Sequence, residues 1–416
     1  MTGFRFVTTG LGLVLLTVFA RDAGAAESES EQPNTIDTVR GTIQGSTRFI
    51  GLGGAFVAIA EDTEGVPINP ASAAVRLPYS WDAFSYGFGI DFSVGTWLPE
   101  NDIYNAPENP DVEQNGTLFG SLAALINYRH AGFGLSAEAE QNNVSQRAQG
   151  VSSDRTGNFG LVHLDAAYGY FEGQLLLGAG LRVVGVSFDG NDGGSLLTAG
   201  VGYTAGFIVK PTGAHFRFGI AIEQPINAEL ERGGNAEPTT VHIPWTAAAG
   251  LAIQLGSRDL NRPFVTVGDR ARRNTRGREP TDEDEEQAAQ ELFNEYQKDQ
   301  TWSLLLTTEL AVLQGPRDVP FGDDDVPIDR PLFSPRVGLE TDVVPRWVRL
   351  RGGSYLELPV TEGGGPRLHG TVGGDIKLFP FSVFGLVEPF NWWKFSFAAD
   401  GAKNYLNTAF SIGIWH

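Results

Sequence analysis

From Trp81 onward the chain alternates apolar and polar residues with a period of two. Phe84, Tyr86, Phe88, Ile90, Phe92 and Val94 share one face, and Ser85, Gly87, Gly89, Asp91 and Ser93 share the other. The beat returns with Phe216, Phe218, Ile220 and Ile222 against His215, Arg217, Gly219 and Glu223. It returns again with Trp302, Leu304, Leu306 and Leu310 against Ser303, Thr307 and Glu309. A further run sets Leu368, Val372, Ile376 and Leu378 against Arg367, His369, Thr371, Asp375 and Lys377. Successive side chains of a strand point to opposite faces, so each segment reads as a strand with one apolar and one polar face. Such segments recur near 80–97, 118–130, 132–140, 158–171, 174–188, 196–210, 214–224, 243–256, 301–312, 334–343, 346–358, 367–379, 392–400 and 407–415. A tilted strand needs about 9–11 residues to cross a bilayer, whereas strands of soluble proteins average about 5–6. Length and alternation together predict an all-β fold, a transmembrane antiparallel β-barrel of about 14 strands.

The connections carry an independent signal. Those at 131–132, 172–173, 211–213 and 345–346 are very short, and those at 98–117, 141–157, 225–242 and 313–333 are long and polar. Outer-membrane barrels have short periplasmic turns and longer external loops. Here the short turns follow the second, fourth, sixth and tenth segments, and the long ones follow the first, third, seventh and ninth. Residues 257–300 break the rule, since their place in the order is periplasmic yet they are long. Within them, 280–297 reads as a helix capped by Thr281, with acids in its first turn and a narrow apolar stripe of Ala289, Leu292, Phe293 and Tyr296. That helix is either a solvated surface element or a docking site for a partner. Residues 380–391 are also longer than a turn.

The start of the chain has a different character. Arg5, an apolar run from Leu11 to Phe19 and the small residues Ala23 to Ala26 form a secretory signal peptide over 1–26, too short to span a membrane. The domain reading is therefore 1–26 signal peptide, 27–79 a lumenal plug, and 80–416 barrel carrying the 257–300 insertion. A single-chain barrel of this size has an interior wider than its own side chains fill, so something must occupy it. Residues 48–74, RFIGLGGAFVAIAEDTEGVPINPASAA, suit that role. Their glycines permit close backbone approach, and Pro70 pushes Asn69 toward extended geometry.

This stretch resembles the N-terminal signature of the FadL/TodX-type outer-membrane superfamily, which includes long-chain fatty acid transporters and, more distantly, PorV-like barrels. The matching residues are Arg48, Gly51, Gly53, Gly54, Ala55, Phe56, Ala58, Ala60, Glu61, Asp62, Asn69, Pro70 and Ala71. Where the family usually has Asn-Pro-Ala-Gly-Leu, this chain has Asn-Pro-Ala-Ser-Ala. The resemblance implies a barrel in the outer membrane of a Gram-negative bacterium, with Arg48 to Ala71 as its gate. It implies passive uptake of hydrophobic small molecules such as long-chain fatty acids. The alternative it offers is a PorV-like binding platform for an exported or periplasmic protein. Gly132, Gly134 and Ser136 make the second and third segments the place to look for a lateral opening.

Charge and composition narrow the rest. With 30 Lys and Arg against 50 Asp and Glu the net charge is −20, which argues against nucleic acid as a partner. There is no cysteine, so disulfides and thiolate metal sites are excluded. The six histidines are scattered without metal-site spacing, GLGGAF lacks the Lys and Ser/Thr of a phosphate loop, and no nucleophile elbow occurs. No metal, cofactor or enzymatic activity is expected. The acidic stretches 189–194 and 322–329 read as external turns. The alternation instead turns charges of both signs inward: Arg182, Arg217, Glu223, Glu309, Arg349, Arg351, Asp375, Lys377 and Lys394. On the membrane face each would cost about 2–4 kcal/mol, so they are expected to pair across the lumen and hold the plug.

Overall fold

The computed structural model describes residues 35–37, 41–76, 80–95, 102, 105, 112–148, 151–189, 195–230, 239–256, 258–276, 278–299, 302–316, 328–360, 364–380 and 392–414. The signal peptide, 381–391 and most of the two acidic turns lie outside the described residues. Strand β1 is Thr35–Asp37. The next seven are β2 (Phe84–Val94), β3 (Val112–Tyr128), β4 (Ala131–Ala148), β5 (Val151–Tyr170), β6 (Leu175–Asp189), β7 (Ser195–Val209) and β8 (Phe216–Glu223). Two short strands follow, β9 (Ile226–Leu230) and β10 (Thr239–Ile243). The rest are β11 (Thr246–Gly256), β12 (Ser303–Leu313), β13 (Leu332–Val344), β14 (Val348–Glu357), β15 (Arg367–Pro380), β16 (Trp392–Ala402) and β17 (Tyr405–Ile414).

Strands β2 to β8 and β11 to β17 close into an antiparallel barrel, sealed by pairing of β8 with β11 and of β17 with β2. Each corresponds to one segment predicted from alternation. The apolar faces point out: Leu122, Phe133, Tyr203 and Leu368 are all more than half exposed. That belt belongs in hydrocarbon, because in water it would be a continuous sticky surface. Tyr128, Tyr168, Tyr170, Phe171 and Trp347 are exposed beside the short turns, as an interfacial aromatic girdle requires.

Two predictions about the connections are corrected. The long loop expected at 141–157 is a continuation of β4 and β5, which are 18 and 20 residues long. Beyond the bilayer both faces meet water, so the alternation that marks a spanning strand fades while the backbone ladder runs on. Within the 225–242 connection, β9 and β10 form a small sheet with β1, in which β1 and β10 are parallel. Ile226, Ala228 and Val241 pack against the inward-facing Val184 and Val186, so this outer connection folds into the lumen.

Residues 41–76 occupy the lumen. Helix α1 (Thr47–Gly51) is capped by Ser46, whose hydroxyl accepts from the Phe49 amide at 3.3 Å. Helix α2 (Asp62–Gly65) and a 3-10 turn (Pro70–Ala74) follow. Ile50, Leu52, Phe56, Val57, Ile59 and Ala71 are fully buried against the wall. Gly53 and Gly54 hold left-handed backbone at φ 62° and 75°, and a β-carbon at Gly53 would strike the Ser354 backbone.

The 257–300 insertion lies on the short-turn side, as its place in the order predicts. It contains helices α3 (Val267–Asn274) and α4 (Asp282–Asp299). The cap on α4 is reciprocal: the Asp284 amide donates to Thr281 Oγ1 at 3.4 Å, and Thr281 donates from its amide to Asp284 Oδ2 at 2.8 Å. Ala288 and Leu292 are buried, and Phe293 and Tyr296 meet the Trp81 ring edge-on at 6.1 and 6.2 Å. Leu292 and Tyr296 of the predicted stripe are thus turned onto the mouth of the barrel, while the buried alanine is Ala288 rather than Ala289 and Phe293 stays exposed.

Candidate functional site

The plug meets one side of the lumen through charge. Arg48 grips Glu340 of β13 with two parallel bonds, Nε to Oε2 at 2.9 Å and Nη2 to Oε1 at 2.8 Å, and gives its third arm to Glu61 at 2.9 Å. Glu340 also accepts from Arg351 Nε at 2.6 Å, and Arg351 continues to Asp375. Arg349 and Arg258 converge on Asp342 at 3.0 and 2.9 Å. Glu309 accepts the Phe56 and Val57 amides at 2.9 and 2.8 Å and is braced by Arg336 at 2.9 Å. Lys394 reaches Glu64 at 3.3 Å, and the Thr47 amide donates to Asp91 at 3.2 Å. Bidentate arginine–carboxylate pairs fix geometry as well as charge, so this wall holds the plug in one orientation.

Glu61 sits at the inner end of that clamp. Its other oxygen accepts from Arg217 at 2.9 Å, and Arg217 also donates to Asn261 Oδ1 at 2.8 Å and to the Leu260 carbonyl at 2.6 Å. One side chain of β8 therefore ties the plug to the periplasmic insertion. Burial alone pushes the Glu61 carboxyl up, but the Arg217 and Arg48 guanidiniums outweigh it and hold the group well below the usual carboxylate range. Its folded value lies below its unfolded one, so its contribution is complete above the ordinary carboxylate range and is lost progressively as pH falls from that range to the depressed value.

The opposite side, β4 to β7, meets the plug through backbone and small residues. Asn69 caps the 3-10 turn, accepting from the Ala71 amide at 3.0 Å, and donates to the Val57 carbonyl at 3.0 Å. Its backbone is extended at φ −152° and ψ 115°, as the following Pro70 demands. A β-carbon at Gly132 would collide with the Ala73 carbonyl, and one at Gly178 with the Pro70–Ala71 peptide. On this wall Ser136 Oγ, His163 Nε2 and both Asp165 carboxylate oxygens are buried without a hydrogen-bond partner among the described residues. Further round, Arg182 pairs with Glu223 at 3.1 Å, and Thr246 donates to the same carboxylate at 2.8 Å.

Two cavities lie where the plug meets the insertion. The smaller, about 60 Å³, includes Arg48, Glu61, Arg217 and Asp342 in its wall. The larger, about 350 Å³, is bounded by Glu61, the plug exit at Arg76 to Trp81, Lys210 of the β7–β8 turn, and residues 259–265. The Glu61–Arg217 pair belongs to both.

The overall architecture has solved counterparts. A Pseudomonas aeruginosa FadL homologue aligns over 90% of this chain and 98% of its own, with a TM-score of 0.53 at 12% identity. The CymD monoaromatic hydrocarbon channel aligns over 89% and 96%, with a TM-score of 0.52 at 12% identity. A TodX monoaromatic hydrocarbon channel variant gives 0.51 over 90% and 99%, also at 12% identity. The fold is that of the FadL/TodX-type outer-membrane barrels. Neither the protein-family models nor the curated proteins gave a match.

Within that FadL/TodX-type frame, the motif residues come together inside the lumen. Arg48 and Gly51 lie on α1, with the Gly51 carbonyl accepting from Thr371 at 3.2 Å. Asp62 opens α2 with left-handed backbone at φ 61° and accepts the Thr63 amide at 2.7 Å. Arg182, Arg217, Glu223, Glu309, Arg349, Arg351 and Asp375 all sit among the luminal pairs described above. Lys377 is the exception and corrects the parity reading: its ammonium lies over the rings of Trp392 and Trp347, at 4.1 and 5.7 Å, on the barrel rim. The β15 register shifts between Lys377 and Pro380, and a cation at the interface gains an aromatic face and water together.

Sequence reasoning missed Arg336, Glu340 and Asp342, although they alternate with Val337, Leu339 and Val343 along β13 as plainly as the residues it found. It also missed a second network toward the outer end. There Arg367 donates to Glu357 at 2.7 Å, His369 lies 2.9 Å from both Glu357 and Asp400, and the Tyr355 hydroxyl donates to Asp400 at 2.6 Å. The glycines at 132 and 134 do not open the wall, because β3 and β4 stay paired from Tyr128↔Ala131 out to Thr117↔Asn142.

Proposed function

We propose that the protein admits hydrophobic small molecules, long-chain fatty acids among them, passively across the outer membrane, with residues 41–76 as its gate. The observation that carries this reading is the asymmetric hold on the plug. A dense ionic clamp fixes one side, while the other side is held by van der Waals contact and a few neutral bonds, Asn69 to the Phe207 and Ile220 carbonyls and Asn127 to the Ala73 carbonyl, beside polar groups unpartnered among the described residues. A segment held in that way can swing from the weak side without losing its register on the strong one. The hydrocarbon channels and the FadL homologue that share this architecture support the solute class. A platform for exported proteins is the other reading of the motif. Among the described residues the insertion turns Leu292 and Tyr296 inward, which leaves that reading without a specific observation in its favour.

The native chain has no cysteine, so a single introduced pair is a clean probe. A β-carbon at Gly134 of β4 would lie 3.6 Å from that of Ala73, which places plug and weak wall at disulfide spacing. The variant with Ala73→Cys and Gly134→Cys, reconstituted in liposomes, should pass a fluorescent fatty acid only after reduction. Equal passage by the oxidised and reduced forms would overturn the gate. Wild-type liposomes no more permeable than empty ones would overturn transport itself.

A further inference from the structure

We infer that the cavity of about 350 Å³ between plug and insertion is an exit site for an amphipathic carboxylate, with the Lys210 ammonium receiving the head group and Trp81 and Phe264 flanking the tail. The inference rests on the transport reading and gives it a substrate class: apolar molecules that end in an anion.

The cavity is of ligand size and mixed character. Pockets that take small molecules run from about 300 to 1,000 Å³, with apolar walls and a few placed polar groups. Trp81, Leu260, Pro263, Phe264 and Leu292 supply the apolar part. Five cations line it, Arg76, Lys210, Arg217, Arg262 and Arg270, against three carboxylates, Glu61, Asp259 and Glu295. Glu61 is committed to Arg217, and Glu295 to Arg270 at 2.8 Å. Arg76 lies over the Phe264 ring at 4.2 Å.

Lys210 has no such arrangement. It is 8% exposed, yet its ammonium has no hydrogen-bond or ion-pair partner among the described residues. An ammonium with so little access to water and no counter-charge is costly to keep protonated, and a ligand carboxylate in the cavity it lines would offset that cost. The β7–β8 turn holds it in place, through its own amide to the Gln174 carbonyl at 2.8 Å. Burial lowers the ammonium to about 7, with Arg217 adding to that effect and Glu61 opposing it. A carboxylate ligand stabilises the protonated form, so affinity should be full below about pH 7 and fall as pH rises above it.

The site also lies on a route. Arg217 and Glu61 wall this cavity and belong to the plug clamp, so a head group arriving at Lys210 has crossed the clamp and is still beneath the insertion.

The test uses the full chain in detergent micelles, with a bromine-tagged dodecanoate as quencher of tryptophan fluorescence and its methyl ester as the neutral control. Trp81→Phe identifies the part of the quench that arises in this cavity. The wild type should bind the acid, with quenching lost in Trp81→Phe. Lys210→Met should weaken the acid about tenfold, the scale of one charged hydrogen bond, and leave the ester unchanged. Lys210→Arg should retain binding and abolish the loss of affinity above pH 7. Equal binding of acid and ester by the wild type, or acid binding indifferent to Lys210→Met in a barrel that still shows heat-modifiable migration, would overturn the site. Passage of a neutral hydrocarbon by the same liposomes would then leave the transport reading standing, whereas impermeable wild-type liposomes would sink that reading whatever Lys210 does.

Discussion

The two walls of the lumen grip the same plug by different physics. From β12 to β16, carboxylates and guanidiniums interlock: Glu309 with Arg336, Glu340 with Arg48 and Arg351, and Asp342 with Arg349. From β4 to β7 the contact is small against small, with Gly132 beneath Ala73 and Gly178 beneath Ala71. Ser136 Oγ, His163 Nε2 and both Asp165 oxygens there are buried without a partner among the described residues. A buried ionic clamp sets position and orientation, because each arm has one satisfactory geometry and a large penalty when a partner is lost. Close packing of glycine and alanine is intimate, and when the surfaces part it gives up only neutral bonds, such as those of Asn69 and Asn127 to backbone carbonyls, and no ion pair. The pairing of the two makes one wall a fixed edge and the other a seam.

The contrast can be broken from the strong side first. Arg48→Ala leaves Glu340 and Glu61 buried with a partner gone, and should cost about 3–5 kcal/mol of plug docking. In planar bilayers the variant should show raised and fluctuating conductance, and protease should reach the plug. The double variant with Glu340→Ala should recover part of the loss, and strict additivity would show that the clamp is not a unit. On the seam, Gly132→Val drives a side chain into the Ala73 carbonyl and should lower plug stability by about 1–3 kcal/mol, as overpacking does. Its thermal transition should fall less than that of Arg48→Ala, and the reverse order would invert the comparison. The smallest effect is expected at Asp165→Asn, which replaces a carboxyl group by an amide of the same shape and has no partner to strand. Its transition should stay within about 1 kcal/mol of wild type. A loss like that of Arg48→Ala would mean that Asp165 is paired and the seam is not one.

The barrel was legible because its wall has a period. Phe84 to Val94 alternate for a purely local reason, one face in lipid and the next in the lumen, and a local rule can be read from a local string. The plug was legible only through its motif, since nothing in the alternation marks residues 48–74. Pairing was beyond reach. Parity says that Arg351 faces inward, but Arg48 and Glu340 are separated by 291 intervening positions and meet only once the barrel has closed around the plug. The strands β9 and β10 were missed because five residues in a polar connection carry too little periodicity. Helix α3 had a readable start, a Thr266 cap accepting from the Asp269 amide at 3.0 Å with that acid in the first turn, as Thr281 and its acids announced α4. The extended β4–β5 hairpin was hidden because alternation reports the bilayer rather than the backbone.

The N-terminal segment is moored at both extremities. Residues 35–37 run alongside β10 in the outer half of the lumen, while Arg76 and Trp81 lead out beside the short turns at the other end. A cord fixed at two points cannot be expelled toward either mouth without unzipping one of its moorings. It can only bow sideways. The compliant direction is set by whichever flank resists least, and on these contacts that flank is β4–β6, the side without the ionic clamp.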